Sequence, residues 1–481
     1  MVRTGRVAAG IVALAGVLYA IAGRGLVNYD TLYSLVWGRE ITEGRTPQLD
    51  APIAPTPHPL ATLLGIILAP LSRASSNAVH GMATLDVTIV LAFLALGVLG
   101  WVVYELGRTW FDPWVGVLAA AIILTRRPVL DFGARAYVDI PYVALVLGAL
   151  LVASRRPRSG VPVLGLLAVA GLIRPEAWLF SLAYLAFLVF SGERDLRRLA
   201  GLCALAASGP LLWVLSDWLI AGSPLHSLTG TRDTAQELGR VTGLQHVPTT
   251  VPRRLGEILR EPVLLGAAGG LVFAWLWLRE RALPAVAAGA LALVAFCILA
   301  AAGLPILGRY LLLPAAIGAV LCGAGVFGWR SLPRGDRRRQ PWAWFGLLTL
   351  VLLVAFIPSQ VNRIGNLRDA LHIQDTIQQD LRALVHDPPA ALNRACPVTA
   401  APNHRPVPLL ALWLDVPASS VVSLQDAGAP AVGQYARPAT ARVARDYVLD
   451  PRDRRAAIPP PPPGFQLAAQ NRSWQVWKRC P

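Results

Sequence analysis

Long apolar runs, separated by clusters of arginine, proline and glycine, recur along most of this chain of 481 residues. A helix of roughly 20 such residues crosses the roughly 30 Å hydrocarbon core of a bilayer. Hydrophobic residues make up 55% of the chain and charged residues only 15%, whereas a soluble globular protein has roughly 25% charged residues. The pattern therefore predicts an all-α polytopic membrane protein and argues against an ordinary soluble enzyme.

Eleven of these runs are predicted to span the membrane as helices. If one of the two shortest, 113–126 or 160–173, does not cross, every later loop changes side. The first run could instead be a secretory signal peptide, because Ala20-Ile21-Ala22 resembles a cleavage site after a basic region. The predicted spans are 7–27, 83–105, 113–126, 137–153, 160–173, 176–191, 199–220, 263–279, 282–302, 305–328 and 342–358.

Arginine clusters predict the orientation of these spans. Counted from a cytoplasmic N-terminus, clusters such as 155–158 and 334–339 all fall on the cytoplasmic side, as the positive-inside rule requires. The odd number of spans then places the turn 127–136 and three longer segments on the outer side of the membrane. These are the first outer loop 28–82, the outer loop 221–262 and the tail 359–481.

The net charge of +16 does not indicate a nucleic-acid partner, because the basic residues punctuate apolar runs instead of lining one face beside stacking aromatic residues. The sequence contains no Walker loop, dinucleotide fingerprint, HExxH or GxSxG motif. Nothing in it therefore indicates chemistry on a soluble nucleotide, zinc proteolysis or a serine hydrolase. We expect any donor substrate to come from the membrane.

Two short helices are predicted to lie in the membrane interface within the first outer loop. The segment 59–71 is apolar, but at about 13 residues and with Pro70 inside it is too short to span. In the segment 31–41, Tyr33 and Trp37 repeat at four-residue spacing, and such aromatic residues favour headgroup depth. The alternative for 31–41 is a solvated loop with incidental aromatic residues.

The tail 359–481 is predicted to form a separate, small α/β domain, because it lacks an apolar run long enough to span. Helical periodicity covers 369–385, and the prolines 459–463 predict an extended polyproline II spacer. Strands are predicted at 408–416, 420–424, 465–469 and 474–478.

Cysteine usage fits an outer location for the tail. Cys396 and Cys480 are its only cysteines, and a disulfide between them would close a loop of roughly 85 residues and stabilise the domain by several kcal/mol. The remaining three cysteines lie inside predicted spans, where buried thiols behave as small hydrophobic groups. Asn471-Arg472-Ser473 fits the N-glycosylation pattern, and a turn between strands explains it equally well.

Two carboxylates lie where spans meet the outer surface, a costly place for an ionisable group. Asp30 follows the first span and could accept a proton from a substrate hydroxyl, or cap a helix that starts at Thr31. Asp139, between Arg135 and Pro141, could orient a sugar, hold a metal with Asp30, or be another N-cap. Two carboxylates are a poor metal signature, so no cofactor is firmly predicted and a divalent metal ion stays open.

Three basic residues are candidates for binding an anion at the outer surface. His58, in a proline-rich entry to the segment 59–71, could meet a phosphate as an imidazolium or be a hydrogen-bonded structural residue. Arg174 lies beside Glu176 at a predicted outer turn, where it could clamp an anionic headgroup or form an internal ion pair. Arg309 opens the tenth span, and there the alternative to such a clamp is ordinary snorkelling.

In their order along the chain, these residues resemble the GT-C superfamily of polytopic glycosyltransferases, which includes protein O-mannosyltransferases, aminoarabinose transferases, and arabinosyl- and mannosyltransferases of actinobacterial envelopes. Such proteins have an acidic residue just after the first span and interfacial helices in the first outer loop. Asp30 matches the first acidic residue. Asp139, preceded by Arg135 and followed by Pro141, is similar to a second outer carboxylate of these proteins.

Two short strings extend the resemblance. Arg309-Tyr310-Leu311-Leu312-Leu313-Pro314 is similar to an Arg-Tyr-Leu-Leu-Pro string of the same group, and Gly171-Leu172-Ile173-Arg174-Pro175-Glu176 recurs in similar mannosyl- and arabinosyltransferase-like proteins. At His58 the chain departs from several relatives, which have lysine there. The resemblance covers roughly residues 1–358, identified as a GT-C-like catalytic domain, and it extends less specifically to the tail.

The resemblance implies an inverting transfer of a sugar from a polyprenyl-phosphate carrier to an acceptor hydroxyl on the outer face of a bacterial plasma membrane. The acceptor would be a cell-envelope glycan, a lipid or a protein. In this reading Asp30 is the general base and Asp139 is the second catalytic carboxylate, while the outer loop 221–262 is long enough to be a lid. The implied lipid-phosphate contacts are His58, Arg309 and Arg174, and the implied substrate-positioning residues are Glu176, Tyr33 and Arg135.

Two other classes of protein stay open. A transporter or flippase of a lipid-linked or envelope precursor would also have many spans, although such proteins usually show internal repeats and none is convincing here. A non-catalytic scaffold would use Asp30 and Asp139 only as helix caps and the tail as its binding surface.

Overall fold

The computed structural model describes residues 2–49, 51, 53–73, 82–386, 391–449 and 457–480. Within them the chain forms two compact units. The first unit comprises Met1–Ala22, Leu91–Leu215 and Val241–Leu367. The second unit comprises Gly23–Val90, Ser216–Arg240 and Arg368–Pro481.

Helices dominate the described residues, as the apolar runs predict. In chain order they are α1 Val2–Ala22, α2 Tyr29–Thr42, α3 Pro59–Arg73, α4 Met82–Trp110, α5 Pro113–Thr125, α6 Arg127–Ala134, α7 Asp139–Arg155, α8 Val161–Gly171, α9 Glu176–Phe190, α10 Leu196–Ala221, α11 His226–Glu237, α12 Val247–Leu259, α13 Glu261–Trp277, α14 Arg279–Ala301, α15 Leu312–Phe327, α16 Arg339–Ala355, α17 Ile357–His386, α18 Val407–Leu414, α19 Leu424–Ala427 and α20 Ala441–Val443. The segment 221–262, which is predicted as an outer loop, contains helices α11 and α12.

The long apolar helices confirm a multi-pass membrane protein. Among the described residues, five helices are long and apolar enough to cross a membrane, and the number rises to eight if each of three bent helix pairs counts as one span. The predicted runs 113–126, 160–173 and 176–191 form helices of 13, 11 and 15 residues. At about 1.5 Å per residue these are shorter than the roughly 30 Å core. The number eleven therefore stays a prediction.

Helix α15 lies at the centre of the first unit. Nearly all of its residues are buried, and helices α5, α13, α14 and α16 pack against it. A helix that is apolar on every side and buried within protein is the expected core element of such a bundle. It fixes the position of the turn Gly308–Leu311, which directly precedes it.

In the second unit, α2 and α3 form a close helix pair. A Cβ atom added to Gly38 would overlap the backbone of Gly65, so glycine at both positions allows the two backbones to touch. The predicted helices at 31–41 and 59–71 are thus present. Tyr33 and Trp37 are 0% and 1% exposed, so these aromatic residues pack inside protein and not among lipid headgroups.

One buried arginine links α2 to the tail. Arg39, 1% exposed, donates to the carbonyls of Ala411 and Leu412 at 3.2 and 3.4 Å and to that of Val416 at 2.7 Å. It also forms an ion pair with Asp415 at 3.0 Å. The carbonyls of Ala411 and Leu412 belong to the last turn of α18, where carbonyls lack partners within the helix, and that of Val416 lies just beyond it. Arg39 therefore caps α18 from a distant part of the sequence.

A five-stranded sheet forms the rest of the tail, in the order β2-β1-β3-β5-β4. β1 pairs in parallel with β2 and β3, whereas β5 pairs antiparallel with β3 and β4. Its core contains Ala400, Leu424, Tyr435 and Phe465. The strands are β1 Thr399–Ala401, β2 Val421–Ser423, β3 Gly433–Pro438, β4 Gln466–Gln470 and β5 Trp474–Arg479.

The second half of α17 packs on this sheet. The buried indole of Trp474 donates to the carbonyl of Ile377 at 2.9 Å, and Asn471 donates to that of Asp380 at 2.6 Å. The same Asn471 side chain accepts the backbone N–H groups of Ser473 and Trp474. The helix predicted at 369–385 is confirmed, and the side chain of Asn471 builds the turn between β4 and β5.

One strand prediction in the tail is wrong, and two strands were not predicted. The segment 408–416 forms helix α18 in place of a strand, because a continuous apolar run has no periodicity to separate the two and Pro408 suits a first helical turn. β1 and β3 were not predicted. Cys396 and Cys480, the predicted pair, are joined by a disulfide with Cα atoms 5.7 Å apart. The prolines 459–463 lie outside helix and strand, and Tyr435 donates to the carbonyl of Pro459 at 2.9 Å.

Candidate active site

The candidate site in the first unit is built at a sharp break between two helices. α6 and α7 meet at 112°, and Ala136 in the connecting turn has a φ of 52°, a conformation that alanine rarely adopts. Asp139 is the first residue of α7 and is 1% exposed. The N-cap position belongs to Val138, whose side chain makes no capping bond. The alternative of an N-cap for Asp139 is therefore wrong.

Arg174 meets Asp139 from the turn between α8 and α9. Its guanidinium forms an ion pair with Oδ1 of Asp139 and a second one with Oε1 of Glu176 at 3.2 Å. The side chains of all three are nearly buried, at 7%, 1% and 9% exposed. Burial alone would lower the pKa of Arg174, but the two carboxylates outweigh it and raise that pKa above its ordinary value. The guanidinium therefore stays charged.

Arg309 approaches the same carboxylate from the turn that precedes α15. Its Nη1 lies 4.0 Å from Oδ2 of Asp139, and its side chain is 18% exposed. Asp139 Oδ2 has no hydrogen-bond partner in the part of the chain that the structure describes. The structure thus brings together four predicted site residues, Asp139, Arg174, Glu176 and Arg309, which we call the Asp139 cluster.

Three tyrosines that were not predicted as site residues surround the arginines of this cluster. The guanidinium carbon of Arg174 lies 4.4 Å from the ring centre of Tyr310 and 5.9 Å from that of Tyr142. Arg309 lies 5.5 Å from the ring centre of Tyr137. Such contacts orient a guanidinium without adding opposite charge. All three tyrosines lie within three residues of Asp139 or Arg309 in the sequence. That closeness is the sequence feature that could have predicted them as site residues.

Arg135, an implied substrate-positioning residue, forms an ion pair with a carboxylate of α6. It donates to Oδ1 of Asp131 at 2.6 Å, an ion pair between residues four apart at the end of α6. That pair fixes the turn leading to Asp139. A direct contact with Asp139 is not among those the structure shows.

In the second unit, α2 carries Asp30 and Tyr33. The helix begins at Tyr29, and its N-cap is Asn28, whose side chain accepts the N–H of Thr31 at 3.1 Å. Asp30 therefore lies in the first turn, and the alternative that it caps the helix is wrong. Its carboxylate is partly exposed at a helix N-terminus, where the helix dipole favours a negative charge. The side chain of Tyr33 is fully buried.

His58 directly precedes α3, and its carbonyl accepts the N–H of Thr62 at 2.9 Å. A hydrogen bond between Thr56 and Thr231 ties the same proline-rich entry to α11. The imidazole is partly exposed. Among the described residues, no group of three or more His, Cys, Asp or Glu side chains could hold a metal ion. We therefore derive no step through a metal.

The described helices, the terminal sheet and a buried cluster of carboxylates and arginines define a class of polytopic membrane protein with a GT-C-like fold. Residues 68–219 match the family model of dolichyl-phosphate-mannose-protein mannosyltransferase. This range contains Asp139, Arg174 and Glu176. No curated protein sequence matches the chain.

Solved structures show the same fold over the whole chain. The crystal structure of ArnT from Cupriavidus metallidurans bound to undecaprenyl phosphate is 15% identical, with a TM-score of 0.56 and coverage of 97% of both chains. The apo structure of the same protein is 15% identical, with a TM-score of 0.52 and coverage of 99% of this chain and 98% of that one. These findings confirm the predicted resemblance to the GT-C superfamily.

Proposed function

We propose that this protein is an inverting glycosyltransferase that moves a sugar from a polyprenyl-phosphate carrier to an acceptor hydroxyl at the outer face of a bacterial plasma membrane. The acceptor is a cell-envelope glycan, a lipid or a protein. The observation that carries the proposal is the match of residues 68–219 to a mannosyltransferase family. That match includes three of the four residues of the Asp139 cluster.

The whole-chain likeness to ArnT supports a lipid-linked donor. ArnT was crystallised with undecaprenyl phosphate, which is a polyprenyl phosphate, and it shares its fold with 97% of this chain. In the same proposal the N-terminus is cytoplasmic, residues 1–358 form the catalytic membrane domain, and the tail 359–481 lies outside and contacts the acceptor.

The proposed reaction exchanges one bond at the anomeric carbon for another. The acceptor oxygen forms a bond to that carbon from the side opposite the phosphate, and the bond from the carbon to the phosphate oxygen breaks. Polyprenyl phosphate leaves with the electron pair, and the acceptor proton passes to a base. We assign that base to Asp30, because Asn28 caps the helix and leaves the Asp30 carboxylate partly exposed.

The Asp139 cluster would position the substrates in this reaction. Arg174 holds Oδ1 of Asp139, so Oδ2 is left to accept a hydrogen bond from a sugar or acceptor hydroxyl. Glu176 keeps Arg174 in place, while Arg135 fixes the preceding turn. Arg309, the more exposed arginine of the cluster, would stabilise the charge that develops on the departing phosphate, together with His58.

A transfer assay on purified protein in lipid tests the proposal, with a panel of polyprenyl-phosphate sugars and cell-envelope acceptors. We expect wild type to transfer one sugar and Asp30→Asn to lose about 10²- to 10⁴-fold in rate. Its unfolding temperature should fall only slightly, because besides the base the variant loses a charge at the helix N-terminus that contributes about 0.3–1 kcal/mol. Asp86→Asn is the matched control, since Asp86 lies in the same unit with a side chain 59% exposed.

Three results would contradict parts of this proposal. Transfer that survives in Asp30→Asn would move the base elsewhere, and Asp139 would be the next residue to substitute. An equal loss in Asp86→Asn would make the effect a structural one. If wild type turns over none of the donors, the transferase proposal fails and a transporter or flippase becomes the better reading.

A further inference from the structure

The first unit contains a cavity of about 300 Å³ that is separate from the side chains of the Asp139 cluster. It lies between α6, α12 and the first turns of α17. The residues around it are rich in arginine. They are Arg127, Pro128, Asp131, Phe132, Glu257, Ile258, Arg260, Gln360 and Arg363.

The carboxylates at this cavity are already paired with arginines outside its lining. Asp131 binds Arg135 at 2.6 Å, and Glu257 binds Arg253 at 3.1 Å and Arg254 at 2.5 Å. These pairs leave the arginines of the lining with few counter-charges. The wall of the cavity is therefore positively charged.

Two of the lining arginines, Arg127 and Arg363, form no ion pair with any residue that the structure describes. The third, Arg260, pairs at 3.1 Å with Glu261, whose side chain is 71% exposed. An ion pair with so exposed a carboxylate is weak and exchanges readily with a ligand.

A fourth arginine lies directly behind the wall. Arg126 is 6% exposed, and its guanidinium donates to the carbonyls of Ile122 and Leu259 at 3.2 Å each. Within the described ranges no carboxylate forms an ion pair with it. A buried positive charge without a counter-ion is costly unless a ligand supplies one.

The cavity also contains buried polar atoms without partners among the described residues. Gln360 is 6% exposed, and its Nε2 donates to the carbonyl of Thr125 at 2.8 Å, which fixes the orientation of the amide. Its Oε1 and the Nε atoms of Arg260 and Arg363 are buried and have no hydrogen-bond partner. The site thus offers N–H donors for an anion beside one acceptor for a hydroxyl group.

We propose that this cavity binds a phosphate ester that carries a neighbouring hydroxyl group, such as a sugar phosphate. Arg127, Arg260 and Arg363 would hold the phosphate oxygens, and Gln360 Oε1 would accept the hydroxyl. The contrast with the Asp139 cluster is one of charge, because there the arginines face Asp139 and Glu176. Where that ester is the lipid-linked donor, the inference rests on the proposed function and adds a second phosphate-binding site to the one at Arg309 and His58.

Binding measurements on the full-length protein in lipid nanodiscs test the site. The probes are polyprenyl phosphate, a soluble hexose 1-phosphate and inorganic phosphate, each titrated by calorimetry without any acceptor. We expect Arg363→Gln and Arg127→Gln each to weaken binding about 10- to 100-fold, because each removes a charge-assisted hydrogen bond to phosphate. Arg337→Gln, which removes an exposed arginine of the same unit, should change binding less than about twofold.

Arg127→Gln and one further variant, Gln360→Met, keep the test decisive. If Arg363→Gln lowers the unfolding temperature, Arg127→Gln gives the answer, because Arg127 is exposed and its loss should leave folding intact. Gln360→Met should weaken hexose 1-phosphate more than inorganic phosphate, since only the former carries a sugar hydroxyl. Equal weakening of both probes would remove Gln360 from the site.

The outcomes separate this inference from the proposed function. Unchanged binding in both arginine variants, or no phosphate binding by an active wild type, would overturn the site and leave the transferase standing. Arginine-dependent binding without transfer from any donor would keep the site and remove the transferase. Binding of hexose 1-phosphate without polyprenyl phosphate would keep the site and assign it to a soluble ester.

Discussion

At the scale of single residues, the Asp139 cluster balances charge at the cost of desolvation. Asp139 is 1% exposed, and moving a carboxylate so far from water is favourable only when a partner compensates it. Arg174 supplies that partner and is itself shared with Glu176. Removing one member of such a group should cost more than removing the pair.

Arg174→Gln should therefore lower the free energy of unfolding by about 3–5 kcal/mol. The buried Asp139 would lose its close partner and keep only Arg309, 4.0 Å away, to compensate its charge. The double variant Asp139→Asn, Arg174→Gln should recover part of this loss. Thermal unfolding of the single and the double variant in the same detergent measures both changes in stability, with Arg337→Gln as the control. A single variant as stable as wild type would show that the ion pair has no structural role.

Glu40 is a second buried carboxylate, and it makes stability depend on pH. Burial raises the pKa of its carboxyl above the ordinary value, although the N–H of Gln48 and the charge of Arg39 act against this. The folded state then holds the proton more tightly than the unfolded state does. Stability is therefore lost as pH rises from the unfolded pKa, about 4.3, through the raised folded pKa.

Glu40→Gln should accordingly raise the unfolding temperature at pH 7, because glutamine keeps an acceptor for Gln48 and carries no charge. The gain should shrink as the pH falls and should vanish well below about 4.3, where the wild-type carboxyl is protonated in both the folded and the unfolded state. Unfolding curves at several pH values measure this difference. A gain that does not change with pH would contradict it.

The residues of the Asp139 cluster could be predicted because each is a charged group in an apolar setting. Asp139, Arg174 and Arg309 all interrupt long apolar runs, and such interruptions are rare enough to notice. Gln360 and Arg363 could not be found in this way. They lie past the last apolar run, where polar residues are common, and only the folded chain brings them to Arg127.

At the scale of helices and strands, the contact between α2 and α3 depends on glycine. Gly38→Ala should lower the free energy of unfolding by about 1–3 kcal/mol, because the new Cβ would overlap the backbone of Gly65. Gly365→Ala in helix α17 is the control. A Cβ atom added to Gly365 would meet no atom within 4 Å, and alanine favours a helix more than glycine does. Thermal unfolding of the two variants should shift in opposite directions. A Gly38→Ala variant as stable as wild type would contradict the close contact.

Periodicity predicted elements well where one face of the element meets solvent. Along β5, Trp474 and Val476 are buried whereas Gln475 and Trp477 are partly exposed, so the strand predicted at 474–478 shows the alternation of a half-buried strand. Val407–Leu414 is buried along its whole length, so every position is apolar and no period distinguishes a helix from a strand. Burial on all sides removed the signal that the prediction needed.

At the scale of the whole molecule, composition was sufficient for the class of protein and for a tail of different character. It was not sufficient for the second compact unit, in which Arg368–Pro481 groups with Gly23–Val90 and Ser216–Arg240. Contacts such as that of Arg39 with Ala411 join residues 372 positions apart. A separation of that size leaves no local pattern in the sequence.

The disulfide between Cys396 and Cys480 joins residues 84 positions apart and encloses the whole sheet. Replacing both cysteines with serine should lower the free energy of unfolding of the tail by about 2–5 kcal/mol, because the unfolded chain gains the entropy that the closed loop withholds. Calorimetry of the double variant, with Cys203→Ser as a control at an exposed free thiol, measures the loss. An unchanged transition would show that the sheet holds the C-terminus without the bond.

The contact of Arg39 with the end of α18 can form only after α18 has been synthesised. The carbonyl partners of Arg39 are made 372 or more residues after it, which at about 5–20 residues per second is an interval of roughly 20–75 seconds. During that interval α2, with Asp30 in its first turn, exists without one of its packing partners. The helix that would carry the catalytic base therefore gains this packing partner only after residue 416 has been made, and a product truncated before α18 would lack it.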